Sequence, residues 1–264
     1  MTEPAVPRPA ASVLLVRDSK TAGGLDVYMI RRNRGMKFLG GFYAFPGGKV
    51  DPADSDPAVL ARVRGISADD AARCFTDGVA PIAYWVTAAR ELLEETGVLL
   101  ACDASGRSIG ADHAEAVDAC RRDLMSGASF AEALARRDWF ADLHVLRYLS
   151  HFITPTRSPI RFTARFFICP LSPGQAPRLF TEETSEGFWI APGEAYWRFI
   201  DDTMAMAEPA EYALAYLSQF ASLEDLWHAH ADGIARFEGT SHRGDAIDAA
   251  WKQWRFPSRE RPRS

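Results

Sequence analysis

The segment Ala88-Ala89-Arg90-Glu91-Leu92-Leu93-Glu94-Glu95-Thr96-Gly97-Val98 constrains this chain more than any other. Its apolar residues recur at helical spacing. At about 100° per residue, Ile82, Trp85, Val86, Ala89, Leu92 and Leu93 share an arc of roughly 120°. Glu91, Glu94 and Glu95 gather on the opposite side. Carboxylates three and four positions apart repel by roughly 0.2–0.5 kcal/mol per pair, and these lie in the last turns, where the helix dipole is already negative. The crowding is either an ordinary solvated face or the mark of a bound cation. The simplest cation that oxygen ligands select is magnesium or manganese.

The surroundings favour the cation. Gly97 follows the last carboxylate and is the expected terminator of a helix running over about 80–96, because glycine enters the left-handed conformation freely. Upstream lies Phe45-Pro46-Gly47-Gly48-Lys49, where paired glycines let backbone approach a ligand closely. With Arg90, these residues resemble the Nudix box, in which Gly, five residues, Glu, seven residues and Arg-Glu-x-x-Glu-Glu-x-Gly build a loop–helix–loop. The right half is matched throughout by Arg90, Glu91, Glu94, Glu95 and Gly97. In the left half, Asp54 stands six residues after Gly48 in place of glutamate. Arg90 follows Gly48 by 42 positions instead of fourteen, so about 28 residues are inserted. A split box is also seen in a Nudix subgroup that includes peroxisomal coenzyme A diphosphatases. Arg31-Arg32-Asn33-Arg34-Gly35-Met36-Lys37-Phe38-Leu39 and Arg161-Phe162-Thr163-Ala164-Arg165-Phe166-Phe167 are similar to that subgroup too.

The resemblance covers about residues 10–200 and implies an α+β fold, a Nudix-like α/β/α sandwich with a mixed sheet. It implies a magnesium site, with manganese substituting, formed by Glu91, Glu94, Glu95 and the Gly48 carbonyl. Arg90, Glu94, Glu95 and Glu186 make the expected catalytic set. Arg90 would pin a box carboxylate or loop carbonyl, and the general base would come from the box helix or from Glu182, Glu183 or Glu186. Arg32, Arg34, Lys37 and Lys49, with Arg31 beside them, are expected to meet substrate phosphates. The reaction implied is hydrolysis of a pyrophosphate bond in a nucleoside diphosphate derivative, with coenzyme A or acyl-CoA favoured. Nucleotide sugars, NADH, dinucleotides and nucleoside triphosphates stay open as substrates. So does a non-catalytic nucleotide-binding module, although such a module would be expected to have lost box carboxylates.

The rest of the chain narrows the setting. A chain of 264 residues, 47% apolar, can bury a full core. A formal charge of −5 and no run of Lys and Arg argue against a nucleic-acid partner. Cys74, Cys102, Cys120 and Cys169 are scattered, without a CxxC pair, and read as free thiols. No apolar run approaches a membrane span, and neither a secretory signal nor a peroxisomal Ser-Lys-Leu end is visible, so the expected compartment is the cytoplasm. A homodimer is left open.

Residues 1–10 read as a disordered start and 11–204 as the Nudix domain, with insertions at 51–80 and 111–138. Residues 205–264 read as a helical extension packed on the same domain, mostly helical from about 207 to 252, with a frayed Arg-rich end. Strands are expected at 12–17, 25–31, 41–45, 98–101, 144–153, 161–169 and 186–191. A short helix opened by Ser67 is expected over 67–75, a helix pair in 111–138, and another helix at 193–199. Asp51, Asp54 and Asp56 lack the calcium-loop spacing, and Asp54 alone is a candidate contributor to the site. His228 and His230, two apart, do not share a helix face.

Overall fold

The computed structural model describes residues 4–20, 24–36, 38–76, 79–179 and 184–231, together with the backbone of 237–240. The chain opens with β1 (Arg8–Asp18), β2 (Leu25–Arg32), β3 (Tyr43–Ala44) and β4 (Gly47–Lys49). The first insertion holds α1 (Pro57–Leu60), β5 (Val63–Arg64) and α2 (Ala68–Cys74), and leads into α3 (Ile82–Thr96). There follow β6 (Ala101–Cys102), α4 (Ala114–Met125), α5 (Phe130–Ala135), β7 (Phe140–Asp142), β8 (Arg147–Ile153), β9 (Phe162–Pro170) and β10 (Thr184–Ile190). The last described elements are α6 (Pro192–Ile200), α7 (Glu208–Leu217), α8 (Leu223–Ala229) and β11 (Phe237–Thr240).

The main sheet runs β10-β2-β1-β9-β8-β11, with β3 against β2 and β4 against β1. Val13, Leu14, Leu15 and Val16 are all fully buried, so β1 is covered on both faces, as its continuous apolar run requires. It pairs parallel with β9, from Arg8 opposite Phe162 to Val16 opposite Pro170. That pairing carries β1 four residues upstream of the expected start, into the Pro/Ala stretch.

One face of the sheet packs on α3, with Val13, Leu15, Trp85, Val86, Leu92 and Leu93 in a single core. The other face packs on α6, α7 and α8 through Leu14, Val16, Met29, Leu214 and Leu226. Each fully buried leucine contributes about 1.5–3 kcal/mol. The result is an α/β/α sandwich. The helix ends at Gly97, whose φ of 70° is the left-handed conformation expected there. Ser67 caps α2, its hydroxyl accepting from the Asp70 amide at 3.0 Å while Asp70 accepts in return from the Ser67 amide.

One expectation needs correction. Residues 98–101 do not return to the main sheet. Ala101 and Cys102 pair instead with β7 in a second, three-stranded sheet of order β5-β7-β6, which shares the core of α3 through Ala101 and Ala141. The stretch beyond 207, expected to be mostly helical, also holds Phe237–Thr240, which adds a parallel edge strand to β8. Of the two readings of the crowded acids, the burial of α3 over most of its circumference, Glu95 and Thr96 included, disfavours the solvated face.

Candidate active site

The diglycine loop and the end of α3 meet because β4 pairs with β1, setting Gly47 opposite Ser12, Gly48 opposite Ala11 and Lys49 opposite Ala10. Gly47 has a φ of 151°, and a side chain there would sit 2.2 Å from the Ala11 carbonyl oxygen, so only glycine fits. A side chain on Gly48 would lie 2.3 Å from Glu91 Oε1. The missing β-carbon is therefore what lets the Glu91 carboxylate reach the backbone. Glu95, 7% exposed, accepts a hydrogen bond from the Gly47 amide at 2.8 Å and fixes the loop to the helix.

Arg90 organises the acids. Its Nε and Nη2 donate to the two carboxylate oxygens of Asp54, each at 2.9 Å. Its Nη1 donates to Glu91 at 2.9 Å and Glu94 at 3.2 Å, and Nη2 also reaches the Lys49 carbonyl at 3.0 Å. Asp54, 2% exposed, further accepts from the Asp51 amide at 2.9 Å. The Thr87 hydroxyl lies 2.7 Å from Asp54 and 2.8 Å from the Ala83 carbonyl, and donates to one or the other. The residue that departs from the box pattern thus takes the fork of the box arginine, and the long insertion leaves and rejoins without disturbing it.

Burial alone would lower the Arg90 pKa, but hydrogen bonds to Asp54 and the charges of Glu91, Asp54 and Glu94 hold it above its ordinary range. Glu91 goes the other way. Desolvation, opposed by Arg90 and reinforced by Glu94, pushes its carboxyl up to about 7, and Glu94 is raised for the same leading reason. Arg90 alone does not offset the burial of these carboxyls. Among the described residues no three His, Cys, Asp or Glu side chains already enclose a metal position, since Arg90 is the cation that draws Glu91 and Glu94 inward. The chemistry of the set still fits a hard divalent ion: three carboxylates and a nearby loop carbonyl, in a space that a β-carbon at Gly48 would fill.

The site opens into a cleft of about 1320 Å³, larger than the roughly 300–1,000 Å³ of sites for drug-sized ligands. Gly47, Gly48, Lys49, Arg90, Glu91, Glu94 and Glu95 line one end, and Arg32 also faces it. Phe38, Phe42, Phe152, Phe162 and the first turn of α7 make the walls.

Other expected site residues lie elsewhere. Glu186 pairs with Arg31 at 2.8 Å and is not among the residues of the cleft; neither is Arg34. Arg31 also donates to the Gly41 carbonyl and lies over Tyr43, which makes it part of the β2–β3 turn. Lys37, Glu182 and Glu183 lie outside the described residues. His230 is buried against the Tyr216 hydroxyl, 2.8 Å away. Sequence reasoning missed Arg121 of α4, whose Nε donates to the Glu94 carbonyl at 2.7 Å and ties the second insertion to the box helix. It also missed Arg8, Arg157 and Met125 in the cleft wall. None of these carries a local motif.

No family model matches the chain. A nudix hydrolase of Caenorhabditis elegans is 29% identical over 218 residues, which are 80% of this chain and 61% of that protein. The acyl-coenzyme A diphosphatase NUDT19 of Gallus gallus is 26% identical over 276 residues, 85% of this chain and 71% of its own length. The chain thus spans between 61% and 71% of the length of these curated relatives. The crystal structure of a NUDIX hydrolase from Alicyclobacillus acidocaldarius superposes with a TM-score of 0.72 at 29% identity, covering 85% of this chain and 96% of that one. Taken with the box around Arg90 and the mixed-sheet sandwich that carries it, these comparisons make the chain similar to Nudix hydrolases in both sequence and fold.

Proposed function

We propose that this protein hydrolyses the pyrophosphate bond of a nucleoside diphosphate derivative with the help of a divalent cation, magnesium or manganese, and that coenzyme A or its acyl esters are the favoured substrates. The observation that carries the reading is the gathering of Glu91 and Glu94 about Arg90, with Glu95 on the Gly47 amide, beside a Cβ-less loop and at the end of a large cleft. A binding module has no need of three intact carboxylates there. The cleft volume favours a substrate larger than a mononucleotide, and the likeness to an acyl-coenzyme A diphosphatase supports the choice among the larger ones.

Glu91 and Glu94, with the Gly48 carbonyl and Glu95, would hold the cation. When bound, such an ion neutralises the diphosphate and makes an attacking water easier to deprotonate. Arg90 and Asp54 fix where the carboxylates point, as partners behind metal ligands do. Arg32 faces the cleft and would meet oxygens of the diphosphate. Glu94 or Glu95 is the better general base, because Glu186 is engaged with Arg31.

Purified protein should be assayed with magnesium and with manganese against coenzyme A, ADP-ribose, NADH, diadenosine polyphosphates and nucleoside triphosphates, with products read by mass. Release of adenosine 3′,5′-bisphosphate and phosphopantetheine is expected. Turnover confined to triphosphates removes the favoured substrate, and turnover of none removes the hydrolase reading.

Gly48→Ala gives a separate check on the cation. The added carbon strikes the far end of the Glu91 side chain, which can swing aside, so folding should survive. Manganese affinity, followed by electron paramagnetic resonance, should drop by about tenfold or more, in the range seen when groups supporting metal ligands are lost. An unchanged affinity with an unchanged melting temperature would separate Gly48 from the metal.

A further inference from the structure

Arg8, Lys49 and Arg157 all face the cleft, all are exposed, and none has a side-chain partner among the described residues. Register brings two of them together. Lys49 lies opposite Ala10, and Arg8 precedes Ala10 by two residues, so both side chains leave the same face of the sheet. Such diagonal neighbours stand roughly 7–8 Å apart, close enough for like charges to repel and for one anion to touch both. Gly48, next to Lys49 and opposite Ala11, presents the other face, toward Glu91. The acids and the cations therefore flank β4 from opposite faces.

We propose that Arg8, Lys49 and Arg157 form a second phosphate subsite, holding a phosphomonoester on the sugar of a nucleoside diphosphate substrate. The proposal rests on the hydrolase reading above and specifies its substrate. The diphosphate belongs at the Gly47–Gly48 loop, beside the carboxylates. The cations on the other face are left for a different anion. The carrier of that anion is a nucleoside because Phe162 stands opposite Arg8 on β9, with the ring of Phe38 at 5.1 Å from it, giving a base an aromatic surface next to the phosphate.

The test compares coenzyme A with dephospho-coenzyme A, and NADPH with NADH, in the wild type, Arg8→Gln and Arg157→Gln. Calorimetric titrations with adenosine 3′,5′-bisphosphate, adenosine 2′,5′-bisphosphate and AMP read binding without turnover. The wild type should favour one bisphosphate over AMP, and the corresponding substrate over its dephosphorylated form, by roughly tenfold or more, the scale of one charge-assisted hydrogen bond. Whichever isomer wins locates the monoester. Each variant should lower that ratio toward one while keeping the melting temperature, since both side chains are exposed. Equal dissociation constants for AMP and both bisphosphates overturn the subsite. Equal losses for AMP and bisphosphate in the variants also overturn it, because the cations would then serve the shared phosphate. A chain that prefers a bisphosphate yet cleaves no diphosphate keeps the subsite and removes the hydrolase reading.

Discussion

Arg90→Met is expected to destabilise the metal-free protein by about 3–5 kcal/mol, the scale on which removing one partner of a buried ion pair acts. The reason is what the guanidinium leaves behind. Asp54 is 2% exposed and takes both ends of the fork, so without Arg90 a carboxylate remains in the interior with only an amide and at most a hydroxyl to satisfy it. Glu91 and Glu94 lose the charge that draws them together. Arg90→Lys should recover part of the loss, because a lysine keeps the charge but not the two-pronged geometry. Urea unfolding in a chelator measures both variants, and a double-mutant cycle with Asp54→Asn isolates the pair. If the two single losses simply add, Asp54 is not the partner that matters and the account of the split box fails.

The right half of the box was legible because its signals are local. Helical spacing from Ile82 to Leu93 marks α3, and Gly97 ends it at the expected place. The strands flanking it were legible for the same reason, through short apolar runs such as Val13–Val16. What the sequence hid are pairings made across distance. Asp54 was legible as a candidate contributor to the site but its partner was not, because Arg90 lies 36 positions away, past an insertion with no periodicity of its own. Arg121 carried no signal of its own within the expected helix pair, yet it is buried and donates to the carbonyl of Glu94. Glu186 stood among the expected sources of the base, but nearness to a strand does not say which neighbour that strand will have. Here it is β2, and Arg31 claims the carboxylate. Phe237–Thr240 becomes a strand through its pairing with β8, which no local pattern announces.

Glu95→Gln should lower kcat by about 10²–10⁴, the range attributed to a well-placed acid–base group, while leaving the melting temperature nearly unchanged. The two effects separate because Glu95 does two things. One carboxylate oxygen accepts from the Gly47 amide at 2.8 Å, and a glutamine oxygen can accept the same bond. The negative charge beside the diglycine loop is what glutamine cannot supply, whether that charge holds a cation or receives a proton from water. Glu95→Ala should lose both functions: the Gly47 amide is left without its acceptor, at a cost of about 1–3 kcal/mol, and activity falls with it. Raising magnesium separates the roles further. If Glu95 is chiefly a ligand, higher magnesium should recover part of the activity of Glu95→Gln; if it is the base, the deficit in kcat should persist at saturation. Wild-type turnover of the glutamine variant at saturating magnesium would remove Glu95 from the chemistry and leave it as the clasp of the loop.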